Sequence, residues 1–163
     1  MSLLALTAIV LPLALAIVCY PLGRLSAPWR NALALAGFTL NMAFALAVAA
    51  EVIAIGPFSA QLFTIVIPGF ELPVGLSVDL FGASVMVALS IVFLAVATYS
   101  AYASAPRQHS IYFSLLFLAV VGLNGFVASW DLVSLYVFWE VASLAFLFLV
   151  MTDLEPGPTI AGL

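Results

Sequence analysis

Long apolar stretches alternate along the chain with short segments that contain charges, prolines and glycines. Five of these stretches have about the 20 residues that an α-helix needs to cross a bilayer. They predict helices over residues 3–20, 31–55, 80–103, 110–129 and 131–152. Pro12 should kink the first helix and Pro21 should close it, whereas Asn31 and Asp131 are the expected N-caps. A neighbouring helix should satisfy the carbonyl that Pro12 leaves free.

Residues 56–79, between the second and third apolar stretches, have a different pattern. β-Branched and aromatic side chains fill positions 63–67, and the turn-forming residues Pro68 and Gly69 follow them directly. This order favours a short β-hairpin outside the hydrocarbon. An irregular surface loop is the alternative interpretation, because Pro73 and Gly75 also interrupt the segment.

The composition makes lipid the main solvent of the chain. Its 163 residues are 67% hydrophobic and 6% charged, with a mean hydropathy of +1.35, whereas soluble domains are about 45–50% apolar and about 25% charged. We therefore predict an all-α integral membrane protein that forms a single membrane domain over residues 1–163. No basic residue precedes the first apolar stretch, so we interpret that stretch as a retained helix and not as a cleaved signal peptide.

Charges and rare residues exclude several classes of function. The formal charge is −4 and no basic cluster exists, which argues against nucleic acid as a partner. Cys19 is the only cysteine and His109 the only histidine, so their usual metal sites cannot form within the chain. Because no phosphate loop or catalytic triad is visible either, we expect no cofactor and no catalytic site in this chain.

The three cations of the chain predict its orientation. Arg24 and Arg30 lie between the first two predicted helices, and Arg107 lies between the third and the fourth. With five spans these two loops share one side of the membrane, and the positive-inside rule makes that side cytoplasmic. We therefore expect the N-terminus outside and the C-terminus in the cytoplasm.

Glu140 is the strongest candidate for chemistry because it lies near the middle of the fifth predicted helix. An ionised and unpaired carboxylate at that depth costs several kcal/mol, and acids within membranes commonly mark ion pathways or proton relays. Tyr136 and Ser143 share its helix face at helical spacing and would line the path. The alternative is a protonated glutamate that only hydrogen-bonds a neighbouring helix.

Three weaker candidates accompany Glu140. Asn41 and Asn124 lie within predicted helices, where asparagine either hydrates a path or bonds one helix to another. Gly122 and Gly125 allow close helix approach beside Asn124 and so favour the second role. His109 lies at the predicted cytoplasmic mouth of the fourth helix, where it is a surface residue or a point of proton entry.

Three segments of the chain resemble the antiporter-like membrane subunits of respiratory complex I, membrane-bound hydrogenases and Mrp-type sodium/proton antiporters. They are Leu-Ser-Val-Asp-Leu at 76–80, Thr-Tyr-Ser-Ala-Tyr at 98–102 and Asp-Leu-Val-Ser-Leu-Tyr-Val-Phe-Trp-Glu at 131–140. The resemblance implies that Glu140 belongs to a proton-transfer path. It also implies a multi-pass protein of the inner, cytoplasmic membrane of a prokaryote, within a complex driven by redox energy or by an opposing ion gradient.

The chain departs from that family in length and in its lysines. Family members usually have about fourteen helices and carry lysines on later helices, whereas this chain resembles only the N-terminal five helices and contains no lysine. We therefore expect a truncated or split antiporter-like subunit of a multi-subunit proton- or sodium-translocating complex, with Glu140 as its proton relay. Its partners should be other membrane subunits, one of which brings a Lys, an Arg or a polar cavity to Glu140, with lipid around them. The rival interpretations are a structural subunit that fills a gap between helices, and an unrelated small homo-oligomeric carrier.

Overall fold

The computed structural model describes residues 3–102 and 109–153, which form five helices and one β-hairpin. The helices are α1 (Leu3–Leu25), α2 (Ala27–Ile55), α3 (Leu80–Tyr102), α4 (His109–Ala128) and α5 (Leu132–Asp153). The strands are β1 (Phe58–Ile67) and β2 (Phe70–Val78). The predicted order of elements is therefore confirmed over these residues.

The junction between α1 and α2 differs from the prediction. Pro21 lies inside α1, which continues to Leu25, so the expected stop at residue 20 is wrong. The N-cap of α2 is Ser26 and not Asn31, because Pro28 fits the first turn of a helix, where its missing N–H is not needed. Asn31 lies inside α2 and donates a hydrogen bond from Nδ2 to the Ala101 carbonyl of α3 at 3.1 Å.

The hairpin confirms the preferred interpretation of residues 56–79. Strands β1 and β2 pair antiparallel, with Leu62 at a shift of register. Pro68 and Gly69 form the turn, and Gly69 has a φ of 84°, a backbone conformation that glycine adopts without strain. Gly56 ends α2 with a φ of 102° in the same way. The hairpin therefore returns the chain to the end of the bundle where α2 stopped, which we call the hairpin end.

The helices pack into two apolar clusters, one in each half of the bundle. The hairpin-end cluster includes Ala8, Val48, Val52, Val78, Ala83, Met86, Val121 and Ala128. The second cluster lies toward the opposite end of the bundle, which we call the far end. This far-end cluster includes Cys19, Ala34, Phe38, Phe93, Ala97, Phe113, Phe117 and Ala145. Helix α4 packs against α1, α3 and α5, and α2 packs against α1 and α3. Over half of α4 is buried, against 17% of α5, so α4 is central and α5 is peripheral.

Four of the described helices are long and apolar enough to cross a membrane. They are Ala27–Ile55, Leu80–Tyr102, Ile111–Ala128 and Leu132–Thr152. The part of α1 whose side chains are described, Leu6–Leu22, is apolar but shorter. The helical class is thus confirmed, and length and composition suit four of the helices to a bilayer.

Candidate functional site

The start of α5 is held by the side chain of Asp131. Its Oδ1 atom accepts hydrogen bonds from the backbone N–H groups of Val133 (3.0 Å) and Ser134 (2.9 Å), as an N-cap does. Its Oδ2 atom accepts bonds from the Ser134 hydroxyl (2.7 Å) and from the backbone N–H of Gly75 in β2 (2.9 Å). The predicted cap is therefore confirmed, and the same carboxylate ties α5 to the hairpin.

Gly75 fits this junction because it has no side chain. A Cβ atom there would lie 2.6 Å from the Ala60 carbonyl oxygen and 2.8 Å from the Trp130 indole. The Ser134 hydroxyl oxygen, whose hydrogen goes to Asp131, also lies 3.3 Å from the Gly75 carbonyl oxygen. Sequence reasoning took Gly75 only as a breaker, although a glycine inside a strand pattern is a known signal of close backbone approach.

The hydrogen bonds around Asp131 predict sensitivity to acid. Burial alone raises the pKa of Asp131, but the bonds from Ser134, Gly75 and Val133 outweigh it and hold the pKa below its ordinary value. A carboxylate with a lowered pKa in the folded state stabilises the fold above its unfolded pKa and loses that effect as the pH falls below about 4. Asp131→Asn should therefore reduce thermal stability at pH 7 and flatten its decline in acid. Melting curves between pH 3 and pH 7 test this, and an unchanged decline would contradict it.

Two glycines of α4 bring α5 unusually close. A Cβ atom on Gly122 would lie 2.5 Å from the backbone nitrogen of Ala142, and one on Gly125 would overlap the ring of Phe138. Ala142 and Ala145 of α5 are buried against this surface. Because 138, 142 and 145 share one face of α5, the contact fixes the rotation of the helix about its axis.

That rotation places Glu140 on the side of α5 that points away from α4. Glu140 is half-buried, and Tyr136 and Trp139 beside it are 56% and 54% exposed. The Tyr136 phenol lies close enough to the Glu140 carboxylate for the two groups to interact electrostatically. Ser143 is exposed on the same side. The structure thus brings together Tyr136 and Glu140, as the helical spacing predicts, on a face that the described residues leave open.

Asn124 lies on a different side of the bundle and bonds two helices together. Its Nδ2 atom donates to the Ala8 carbonyl of α1 at 3.0 Å, and Asn124 is only 2% exposed. Pro12 has no N–H for that carbonyl, which is four residues before it. A neighbouring helix therefore satisfies the carbonyl freed by Pro12, as expected, and the interhelical role of Asn124 has a specific cause.

The remaining predicted residues lie apart from Glu140 or outside the description. His109 begins α4, but its side chain lies outside the described residues, as do Arg107 and the side chain of Arg24. The Arg30 guanidinium bonds the Asn31 side chain at 3.0–3.1 Å. Within residues 3–102 and 109–153, no group of three His, Cys, Asp or Glu side chains could hold a metal ion.

Comparison with known proteins gives one distant relationship. No family model matches the sequence. The chain is 29% identical over 142 residues to NADH-quinone oxidoreductase subunit N of Desulforudis audaxviator (strain MP104C). The match covers 84% of this chain and 28% of that protein, so the chain spans well under half of its relative's length. This similarity supports, at the level of a distant relationship, the predicted resemblance to antiporter-like membrane subunits.

Proposed function

We propose that this chain is an antiporter-like subunit, or part of one, in a proton- or sodium-translocating membrane complex, with Glu140 as its intramembrane proton relay. The observation that carries the proposal is the placement of Glu140 and Tyr136 on the open face of α5, about nine residues into the helix. The similarity to a subunit of NADH-quinone oxidoreductase supports the proposed type of complex. In the proposed arrangement all five helices span the membrane. The hairpin end of the bundle lies outside the cell, and the opposite end lies in the cytoplasm.

A proton relay at Glu140 needs a second polar group on the open face of α5. The chain has no lysine, and the side chain of Arg30 is engaged with Asn31 at the start of α2. Polar groups in lipid are expensive unless they meet a partner or water. We therefore infer that another membrane segment covers this face and brings a Lys, an Arg or a water-filled cavity to Glu140. Ser143 would line the same contact.

Asn124 takes a supporting part in this proposal. Its Nδ2 atom is engaged with α1, whereas the oxygen of a side-chain amide is a separate acceptor that can bond water along a path. In this proposal Asn124 lines the path with its oxygen and packs α4 against α1 with its nitrogen. His109 remains the proposed point of proton entry at the far end of α4, because a histidine changes its charge near neutral pH.

Replacing Glu140 with glutamine tests the relay. The amide keeps the shape of the side chain but cannot carry the proton, so we expect ion translocation to fall by roughly tenfold or more while the complex still assembles. The measurement is proton or sodium uptake into vesicles that contain the purified complex. Glu71→Gln is the matched control. Because Glu71 is exposed on β2, away from α5, the complex with this substitution should transport ions at the wild-type rate.

The same preparation separates the rival functions. Full transport by an assembled Glu140→Gln complex would favour the structural subunit, since the carboxylate would then serve packing alone. A chain that purifies by itself as a stable homo-oligomer would favour the small carrier. Loss of transport together with co-purifying membrane subunits is the result that the proposal requires.

A further inference from the structure

The Asn41 side chain in α2 presents a buried acceptor without a partner. Asn41 is 2% exposed, and among the described residues its Oδ1 atom has no hydrogen-bond partner. Buried polar atoms in folded proteins are almost always bonded, either to protein or to ordered water. Because Asn41 lies inside the bundle, a partner on the lipid-facing surface cannot reach it. Its partner must therefore be within the bundle.

The packing of α2 against α3 shows what lies opposite Asn41. The two helices run antiparallel, and the Asn31 amide bonds the Ala101 carbonyl while the rings of Phe38 and Phe93 stack at 6.4 Å. These two contacts fix one register along the pair. Continued by one turn toward the hairpin end, that register brings Asn41 to the same level as Ser90, whose side chain is also 2% exposed.

Asn41 and Ser90 are polar residues that lie between the two apolar clusters. On α2, Phe38 before Asn41 belongs to the far-end cluster and Ala45 after it belongs to the hairpin-end cluster. On α3 the same change occurs across Ser90, between Met86 and Phe93. The core is therefore interrupted by polar atoms at one level of this helix pair.

The hydrogen-bonding state of the two side chains identifies the ligand. The Ser90 hydroxyl already donates to the Val87 carbonyl at 2.7 Å, so its oxygen is left as an acceptor. A molecule that joins Ser90 to Asn41 must then donate two hydrogens. Water does so, whereas an anion has none to donate and a sodium ion needs more oxygens than these two side chains supply.

We propose that Asn41 and Ser90 bind an internal water molecule between α2 and α3, in the middle of the bundle. Such waters commonly make about three hydrogen bonds to otherwise unsatisfied buried groups. The site is separate from Glu140 and does not depend on the proposed proton relay. It gives the α2–α3 pair a hydrated position between the two apolar clusters.

X-ray radiolytic labelling of the purified complex tests the site, because radiation makes hydroxyl radicals from bound water that oxidise the side chains beside it. Met86 is one turn from Ser90 and 1% exposed, so bulk water does not reach it. We expect rapid Met86 oxidation in the wild type and a several-fold slower rate in Asn41→Leu. Trp29 at the start of α2, which is 76% exposed and also oxidisable, should be labelled equally in both proteins.

Two results would overturn the site. One is a wild-type protein in which Met86 stays unlabelled while Trp29 is oxidised. The other is a Met86 labelling rate that Asn41→Leu leaves unchanged. If Asn41→Leu fails to assemble, Ser90→Ala removes the second acceptor with a smaller change and must slow Met86 labelling for the proposal to stand.

Discussion

Replacing Gly122 with alanine should separate α4 from α5 and destabilise the protein by roughly 1–3 kcal/mol or more. The added Cβ would lie 2.5 Å from the backbone nitrogen of Ala142, and a backbone atom cannot move aside as the end of a flexible side chain can. The helices must therefore shift apart. Because the same contact sets the rotation of α5, the proposed proton relay at Glu140 should be impaired together with the stability.

Thermal unfolding of the detergent-solubilised complex measures the first effect, and uptake into vesicles measures the second. Ala36→Val is the control, because Ala36 is on the exposed face of α2 and the added methyl groups meet lipid. Its melting temperature should stay near that of the wild type. A Gly122→Ala protein as stable as this control would show that α5 does not pack as closely as the structure has it.

The bond between Asn124 and Ala8 should be needed only while Pro12 is present. Asn124→Leu leaves the Ala8 carbonyl buried without a donor, at a cost of about 1–3 kcal/mol. In a Pro12→Ala background, the new N–H of residue 12 bonds that carbonyl within α1, so the same Asn124→Leu change should cost less. The difference between the two costs is an interaction free energy of roughly 0.5–3 kcal/mol.

A double-mutant cycle over the four proteins measures this coupling through their unfolding free energies. Asn41→Leu in both backgrounds is the control, because Asn41 lies on α2 and should not respond to residue 12. Equal costs of Asn124→Leu in the wild-type and Pro12→Ala backgrounds would contradict the proposed cause of the bond. Asn124 would then serve only to pack α4 against its neighbours, or only to line the proposed proton path.

The sequence predicted the features that depend on local chemistry. The lengths of the apolar stretches gave the number of helices, and Pro68 and Gly69 gave the turn of the hairpin. Asp131 was recognised as a cap because its carboxylate serves the N–H groups two and three residues later. In each case the residues that decide the structure are neighbours in the chain.

What the sequence did not predict depends on partners far along the chain. The helices are apolar on every side, so periodicity could not show which face of α5 packs on α4. That face became evident only from the fit of Gly122 and Gly125 against Ala142 and Phe138. The second role of Asp131 was missed for the same reason, since Gly75 is 56 residues away.

The bond that Asn124 makes to α1 also bears on the order in which the protein folds during synthesis. Chains are made from the N-terminus, so α1 is synthesised before α4, yet its Ala8 carbonyl receives a donor from a residue 116 positions later. The α2–hairpin–α3 unit contains both partners of its own contacts and is synthesised before α4, so it can form before then. Helix α1 therefore completes its packing only when α4 has inserted, which makes α4 the step that consolidates the bundle.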